Sequence, residues 1–323
     1  MEKKNGIAVA GTVIVDRINE ISAYPASGEL TQILSLQKAI GGCVPNVALD
    51  LKKICAQLPV RVYGRVGDDA DGAYVRSTLE EARLDVSGLL TDPNAPTSFT
   101  EVMSVTGGQR TFFTYSGASA AFGAEDVDFA GDLPEILHLG YFLLLQKVDD
   151  GDGLKILKAA KEQGVRTSID LVSENSDRYA LVKPCLEYTD YLIINELEAG
   201  MLAGMEPANE NLQAIAQRLM AMGVREKVII HKPDCAVCLS RDGFTVLPSY
   251  ALPAGYIKGT TGAGDAFCAG ALYGIYAGWT DLEILEFASG CAVMALGAAD
   301  ATSGLTDETR IKAFCSQFDR QTL

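Results

Sequence analysis

The chain has 323 residues, of which 48% are hydrophobic and 21% charged, and it carries a formal net charge of −15. This length supports one large hydrophobic core with a small appendage. The acidic balance argues against nucleic acid or an anionic membrane as a partner, and no stretch is apolar enough to cross a bilayer. The apolar run that ends at Asp16 lacks a signal-peptide cleavage pattern, so we expect a cytoplasmic location.

Apolar runs of strand length alternate with amphipathic stretches of helix length over most of the chain. The alternation predicts an α/β fold, with a mostly parallel sheet between helices. The predicted strands are Ile7–Val15, Val60–Val66, Ile136–Tyr141, Val165–Asp170, Tyr191–Ile194 and Val228–Ile230. The predicted helices are Asn46–Leu58, Ala70–Ala82, Gly153–Gln163 and Leu212–Met222.

Two regions interrupt this alternation. Ser98–Thr106 and Arg110–Tyr115 flank a Gly-Gly turn and predict an antiparallel hairpin, and Gln32–Gln37 predicts a further strand. We expect the segments near 14–40 and 97–118 to form a small β-sheet lid, inserted in a single domain of residues 1–323. A lid beside the carboxyl ends of parallel strands excludes water from a reacting group.

The eight cysteines are scattered through apolar surroundings, which is typical of reduced core thiols. Cys235 and Cys238 form one isolated CxxC pair, with only His138 and His231 elsewhere to complete a zinc site. We interpret the pair as strand packing and His138 as a core histidine.

A glycine-rich turn that leads into a helix is the most informative segment. Residues 259–267 read Gly-Thr-Thr-Gly-Ala-Gly-Asp-Ala-Phe, and a helix-forming run follows. Helix N-terminal N–H groups bind anions, and the small residues Gly262, Ala263 and Gly264 let a phosphoryl group approach the main chain. Asp265 in the first turn can then accept a proton from an attacking hydroxyl.

This segment resembles the D-T-x-G-A-G-D signature of the ribokinase-like (PfkB-type) sugar kinase family. Further matches in the family's order cover nearly the whole chain. They are Gly11 to Asp16, Gly41-Gly42 with Asn46 and Ala48, Gly64 to Gly72, and Asn195 with Glu198. Each match alone is weak, because such patterns also occur in ordinary turns and helix starts.

The resemblance implies a ribokinase-like three-layer α/β/α fold and transfer of the ATP γ-phosphoryl group to a hydroxyl of a small sugar. Asp265 is then the general base, and Gly262, Ala263 and Gly264 hold the developing charge. The implied acceptor-binding residues are Asp16, Gly41, Gly42, Asn46 and, from the lid, Arg110. The implied nucleotide-binding residues are Asn195, Glu198, Lys232 and Thr261, with Glu198 also holding Mg²⁺ through water.

Several of these residues have a plain structural alternative. Asp16 is also suited to close a strand, Asn46 to cap a helix, and Arg110 to lie exposed on a hairpin. Pro233-Asp234 departs from the family's nucleotide-contacting stretch. Gly259 replaces the first Asp of the signature, so we expect little activation by potassium.

The resemblance is compatible with three functions. Besides a sugar kinase, the family includes nucleoside kinases, for which Phe99, Phe112 and Tyr115 of the lid are candidate base contacts. The third is a sugar-binding regulator without activity, which has no need of the base Asp265. The extra lid strands also leave open a homodimer formed through the lid.

Overall fold

The secondary structure follows the predicted alternation through most of the chain. The computed structural model describes residues 4–105, 110–174, 177–298 and 300–323, and of Arg110 only the backbone. In chain order the strands are β1 (Ile7–Gly11), β2 (Ile14–Ile21), β3 (Ile33–Gly41), β4 (Val60–Gly67), β5 (Asp85–Asp92), β6 (Phe99–Val105), β7 (Arg110–Tyr115), β8 (Ile136–Phe142), β9 (Arg166–Leu171), β10 (Tyr191–Asn195), β11 (Lys227–His231), β12 (Cys235–Ser240) and β13 (Gly243–Pro248). The helices are α1 (Cys43–Ile54), α2 (Ala70–Glu81), α3 (Gly153–Glu162), α4 (Glu196–Ala203), α5 (Leu212–Ala221), α6 (Ala263–Tyr276), α7 (Asp281–Leu296) and α8 (Glu308–Cys315).

Nine strands form the central sheet, in the order β13-β12-β11-β10-β9-β8-β1-β4-β5. All neighbours from β11 to β5 pair in parallel, and β12 pairs antiparallel with both of its neighbours. The carboxyl ends of the parallel strands therefore meet along one edge, which is where ligands bind in such sheets.

Helices cover both faces of the central sheet. Along β1, Ile7 and Val9 pack into one hydrophobic cluster and Ala8 and Ala10 into another, as the two-residue period of a strand requires. Helices α1, α6 and α7 supply the first cluster, and α3, α4 and α5 supply the second. The predicted three-layer α/β/α architecture is confirmed.

The prediction of a single strand over Ile7–Val15 is wrong. The chain leaves the central sheet after Gly11, whose φ of 137° favours glycine, and β2 begins a second sheet at Ile14. Between them, the N–H of Val13 donates to Oγ of Ser119 at 3.3 Å, and this hydroxyl donates to the carbonyl of Val13 at 3.0 Å. A side chain thus satisfies the backbone where the strand is interrupted.

The second sheet has the order β3-β2-β6-β7 and lies within the two predicted lid segments. Its two outer pairs are antiparallel, and β2 pairs with β6 in parallel. Asp71 of α2 joins this sheet to the main body through ion pairs with Arg17, at 2.6 Å, and with Lys38. The predicted Gly107-Gly108 turn lies outside the described residues.

The cysteines agree with the expectation from composition. All eight cysteines are free thiols. Cys235 and Cys238 lie on β12, and since they are three positions apart their side chains point to opposite faces. Within the described parts of the chain, no helix has the length and hydrophobicity needed to cross a membrane.

Candidate active site

The carboxylate of Asp265 lies buried in the first turn of α6, with 6% of the residue exposed. Asn46 donates to its Oδ2 at 2.9 Å, and the hydroxyl of Tyr141 lies 3.0 Å from both carboxylate oxygens. Burial and, second, the negative charge of Asp170 raise the pKa of Asp265 to about 7, against the opposing effect of the two hydrogen bonds. A carboxylate with this pKa is suited to accept a proton near neutral pH.

The turn before α6 requires a glycine. Gly262 has a φ of 78°, and a Cβ atom there would lie 2.3 Å from the carbonyl oxygen of Ala301. The helix begins at Ala263, so Asp265 lies in its first turn as predicted. Its positive N-terminus thus lies directly beside Asp265, where it can hold an anion.

The predicted phosphate-binding residues differ in what their N–H groups can offer. The N–H of Ala263 donates to the carbonyl of Thr260 at 3.3 Å. Gly264 and Asp265 follow in the first turn, where helix geometry provides no carbonyl partner for the N–H. Thr261 is exposed and directly precedes the turn.

The predicted acceptor-binding residues lie on the other side of Asp265. A Cβ atom at Gly41 would lie 2.3 Å from Oδ2 of Asp16, so the absence of a side chain there makes room for the carboxylate. Burial raises the pKa of Asp16 to about 6, and the charge of Asp16 contributes to the raised pKa of Asp265. Gly42, with a φ of 89°, precedes α1, and Oδ1 of Asn46 is buried without a hydrogen-bond partner among the described residues.

Asn195 and Glu198 form a capping box at the start of α4. Oδ1 of Asn195 accepts from the N–H of Glu198 at 2.9 Å, and Oε2 of Glu198 accepts from the N–H of Asn195 at 3.1 Å. Ser173 donates to Oε1 of Glu198 at 2.8 Å. Burial raises the pKa of Glu198 to about 7.

Two adjoining cavities connect these groups. The first has a volume of about 280 Å³, and its polar lining residues include Tyr141, Asp170, Ser173, Glu198 and Asp265. The second has a volume of about 610 Å³ and shares Asn195, His231 and Gly264 with the first. Its apolar lining residues include Tyr250, Leu252, Ile257, Phe267 and Val293. A large apolar cavity beside a polar one suits a ligand with a flat ring and a charged end.

Lys232 lines the larger cavity, but its ammonium group has partners within the protein. It contacts Oδ1 of Asn209 and lies 3.2 Å from Asp234. Asp234 also accepts from Asn209 at 2.8 Å. Asp234, where the chain departs from the family pattern, thus provides the carboxylate that holds Lys232 at the cavity wall.

Two residues of the site were not identified from the sequence. Tyr141 and Asp170 lie near the ends of β8 and β9, and the N–H of Tyr141 donates to Oδ1 of Asp170 at 2.5 Å. Both lie within the predicted strands, at their last positions, and polar groups at the carboxyl ends of parallel strands are the signal that could have identified them. The side chain of Arg110 lies outside the described residues.

Comparison with known proteins identifies relatives over nearly the whole chain. Residues 4–308 match the model of the pfkB family of carbohydrate kinases. The chain is 27% identical over 312 residues to a ribokinase of Arabidopsis thaliana, with 94% of this chain and 79% of that protein covered. It is 26% identical over 331 residues to a fructokinase of Vibrio alginolyticus, with 97% and 100% covered.

Solved structures share the fold. A structure of the Arabidopsis thaliana ribokinase complexed with ribose and ATP aligns with a TM-score of 0.82 at 22% identity, covering 97% of this chain and 99% of that one. A Methanocaldococcus jannaschii nucleoside kinase aligns with a TM-score of 0.79 at 18% identity, covering 98% and 100%. At these identities the likeness shows the fold alone.

The hydrogen bond from Tyr141 to Asp265 leads to a prediction for Tyr141→Phe. The bond stabilises the ionised carboxylate, so its loss raises the pKa of Asp265 further. If the ionised form is the active one, activity at low pH falls, and the acidic limb of kcat/KM against pH moves up by about one unit. Tyr63→Phe is the matched control. Tyr63 lies on β4, and its hydroxyl donates to the carbonyl of Asp128 and not to a residue of the candidate site. An acidic limb that stays in place in Tyr141→Phe contradicts the prediction.

Proposed function

Because the chain belongs to the pfkB family of carbohydrate kinases, we propose that it transfers the γ-phosphoryl group of ATP to a hydroxyl of a small sugar. The observation that carries this proposal is the position of Asp265. Its buried carboxylate lies between the acceptor-side residues Asp16 and Asn46 and the anion-binding start of α6.

In the proposed reaction, Asp265 accepts the proton of the acceptor hydroxyl as the hydroxyl oxygen attacks the γ-phosphorus. Asn46 and Tyr141 orient the carboxylate, and the N–H groups of Gly264 and Asp265 stabilise the charge on the transferred group. Asp16 binds another hydroxyl of the sugar, with Gly41 leaving space for its carboxylate and Gly42 next in the chain before α1. The second sheet acts as the lid that excludes water.

We place ATP across the two cavities, with the phosphates in the polar one and the base in the apolar one. Asn195 lines both cavities, Lys232 lines the apolar one, and Thr261 precedes the anion-binding turn. Bound Mg²⁺ neutralises phosphate charge in such transfers. The Glu198 carboxylate, which lines the polar cavity, fits its preference for oxygen ligands and acts through water.

The lid aromatic residues differ in how available they are to a nucleoside base. Phe99 packs against Tyr115, at 5.5 Å between ring centroids, and lies under the guanidinium of Arg17, at 4.3 Å. Phe99 is thus engaged in contacts within the lid.

Leu34, Leu36 and Phe112 of the lid are exposed apolar residues, and dimerisation through this sheet stays a prediction.

A panel of acceptors tests the proposed function. The protein is incubated with ATP and Mg²⁺ and, in turn, ribose, fructose, 5-dehydro-2-deoxygluconate and adenosine, and ADP and phosphorylated products are measured. We expect a sugar phosphate and one equivalent of ADP with at least one sugar. Phosphorylation of adenosine alone favours a nucleoside kinase, and sugar binding without any ADP favours a regulator.

Glu198→Gln tests the metal role against the capping role. If Glu198 holds Mg²⁺, the Mg²⁺ concentration for half-maximal activity rises about tenfold or more, while the acceptor KM stays nearly constant. Glu283→Gln is the matched control, because Glu283 occupies the same position in the Thr280 capping box of α7, outside both cavities. If the two variants behave alike, Glu198 has a capping role only.

A further inference from the structure

Three side chains with metal-binding atoms converge behind Asp265, one from each of α1, β8 and β9, and a cysteine of α6 contacts one of the three. Sγ of Cys43, a ring nitrogen of His138 and a carboxylate oxygen of Asp170 all lie within 4.8 Å of one another. Sγ of Cys268 lies 3.6 Å from Nε2 of His138. All four residues are buried.

We propose that Cys43, His138 and Asp170 form a binding site for one divalent cation of the Zn²⁺ class, and that the Cys268 side chain turns from His138 toward the ion as the fourth ligand. Bond lengths of about 2.0 Å for nitrogen and oxygen and about 2.3 Å for sulfur place tetrahedral ligand atoms roughly 3.3 to 3.8 Å apart. The His138 Nε2 to Asp170 Oδ2 distance of 3.4 Å and the Cys268 to His138 distance of 3.6 Å lie within this range. A mixed sulfur, nitrogen and oxygen set suits Zn²⁺ and excludes Mg²⁺ and Ca²⁺.

Hydrogen bonds to the polar atoms that face away from the cluster orient two of the proposed ligands, His138 and Asp170. Nδ1 of His138 lies 3.1 Å from the hydroxyl of Ser168, which leaves Nε2 directed at the cluster. Oδ1 of Asp170 accepts from the N–H of Tyr141, which leaves Oδ2 directed at His138. Such partners fix the orientation of metal ligands in proteins.

Gly140 makes room for the Cys43 thiol. A Cβ atom at Gly140 would lie 1.9 Å from Sγ of Cys43 and 3.0 Å from Oδ1 of Asp170. Any side chain at position 140 therefore displaces the thiol from the cluster. Gly140 thus allows β8 to pack against α1 and also leaves space for the Cys43 thiol.

An ion can reach the site from the polar cavity. Asp170 and Cys268 line that cavity, and His138 and Cys43 lie behind them with no exposed surface. On binding, each coordinating thiol releases its proton to solvent, and two thiolates with one carboxylate more than balance the charge of the dication. The isolated Cys235-x-x-Cys238 pair offers no such convergence, because its thiols point to opposite faces of β12.

Cobalt spectroscopy tests the proposal independently of kinase activity. The full-length protein is freed of metal with a chelator, then titrated with Co²⁺. We expect one equivalent to bind, with the strong visible bands of four-coordinate Co²⁺ and a near-ultraviolet thiolate-to-metal band, both lost when Zn²⁺ is added. These measurements on the unaltered protein do not depend on whether any variant folds.

Single substitutions then locate the site. Cys43→Ala and Cys268→Ala are each expected to weaken Co²⁺ binding about tenfold or more and to reduce the thiolate band. Cys185→Ala is the matched control, because this thiol is also buried but packs in the cluster of apolar residues on the other face of the sheet. Binding without a thiolate band, several weak equivalents only, or a band that persists in both cluster variants overturns the proposal.

Discussion

The arrangement of the candidate active site depends on keeping the Asp265 carboxylate buried and hydrogen-bonded. Removing a carboxylate from water is costly unless donors compensate, and here Asn46 and Tyr141 provide them. Because burial has the larger effect, the pKa of Asp265 stays near 7, where the group can both gain and lose a proton. Moving either donor changes the proton affinity of the group on which the proposed chemistry depends.

The topology of the sheet brings these groups together. Asn46 belongs to α1, which follows the lid strand β3, and Tyr141 lies near the end of β8, the direct neighbour of β1. Asp265 lies in the first turn of α6, more than 100 residues further along the chain, and α6 packs against α1 in the same hydrophobic cluster. One edge of one sheet therefore positions an acceptor site, an anion site and a ring-sized cavity next to one another.

Local patterns in the sequence predicted much of this site, and long-range contacts explain what was missed. The turn before Asp265 could be predicted because Gly262 and the helix are adjacent in the chain. Tyr141 could not be paired with Asp265, 124 positions away, without the order of the strands. The break between β1 and β2 depends on Ser119, 106 residues from Val13, and no local pattern records such a contact.

The central claim is that Asp265 is the proton acceptor, and single-turnover phosphoryl transfer in Asp265→Asn measures this most directly. Asparagine keeps the shape of the side chain but not its basicity, so we expect the rate to fall about a thousandfold or more. The dissociation constants for ATP and sugar, and the melting temperature, should change little, as in the control Asp85→Asn at an exposed ion pair. A transfer rate within about tenfold of the unaltered protein contradicts the account.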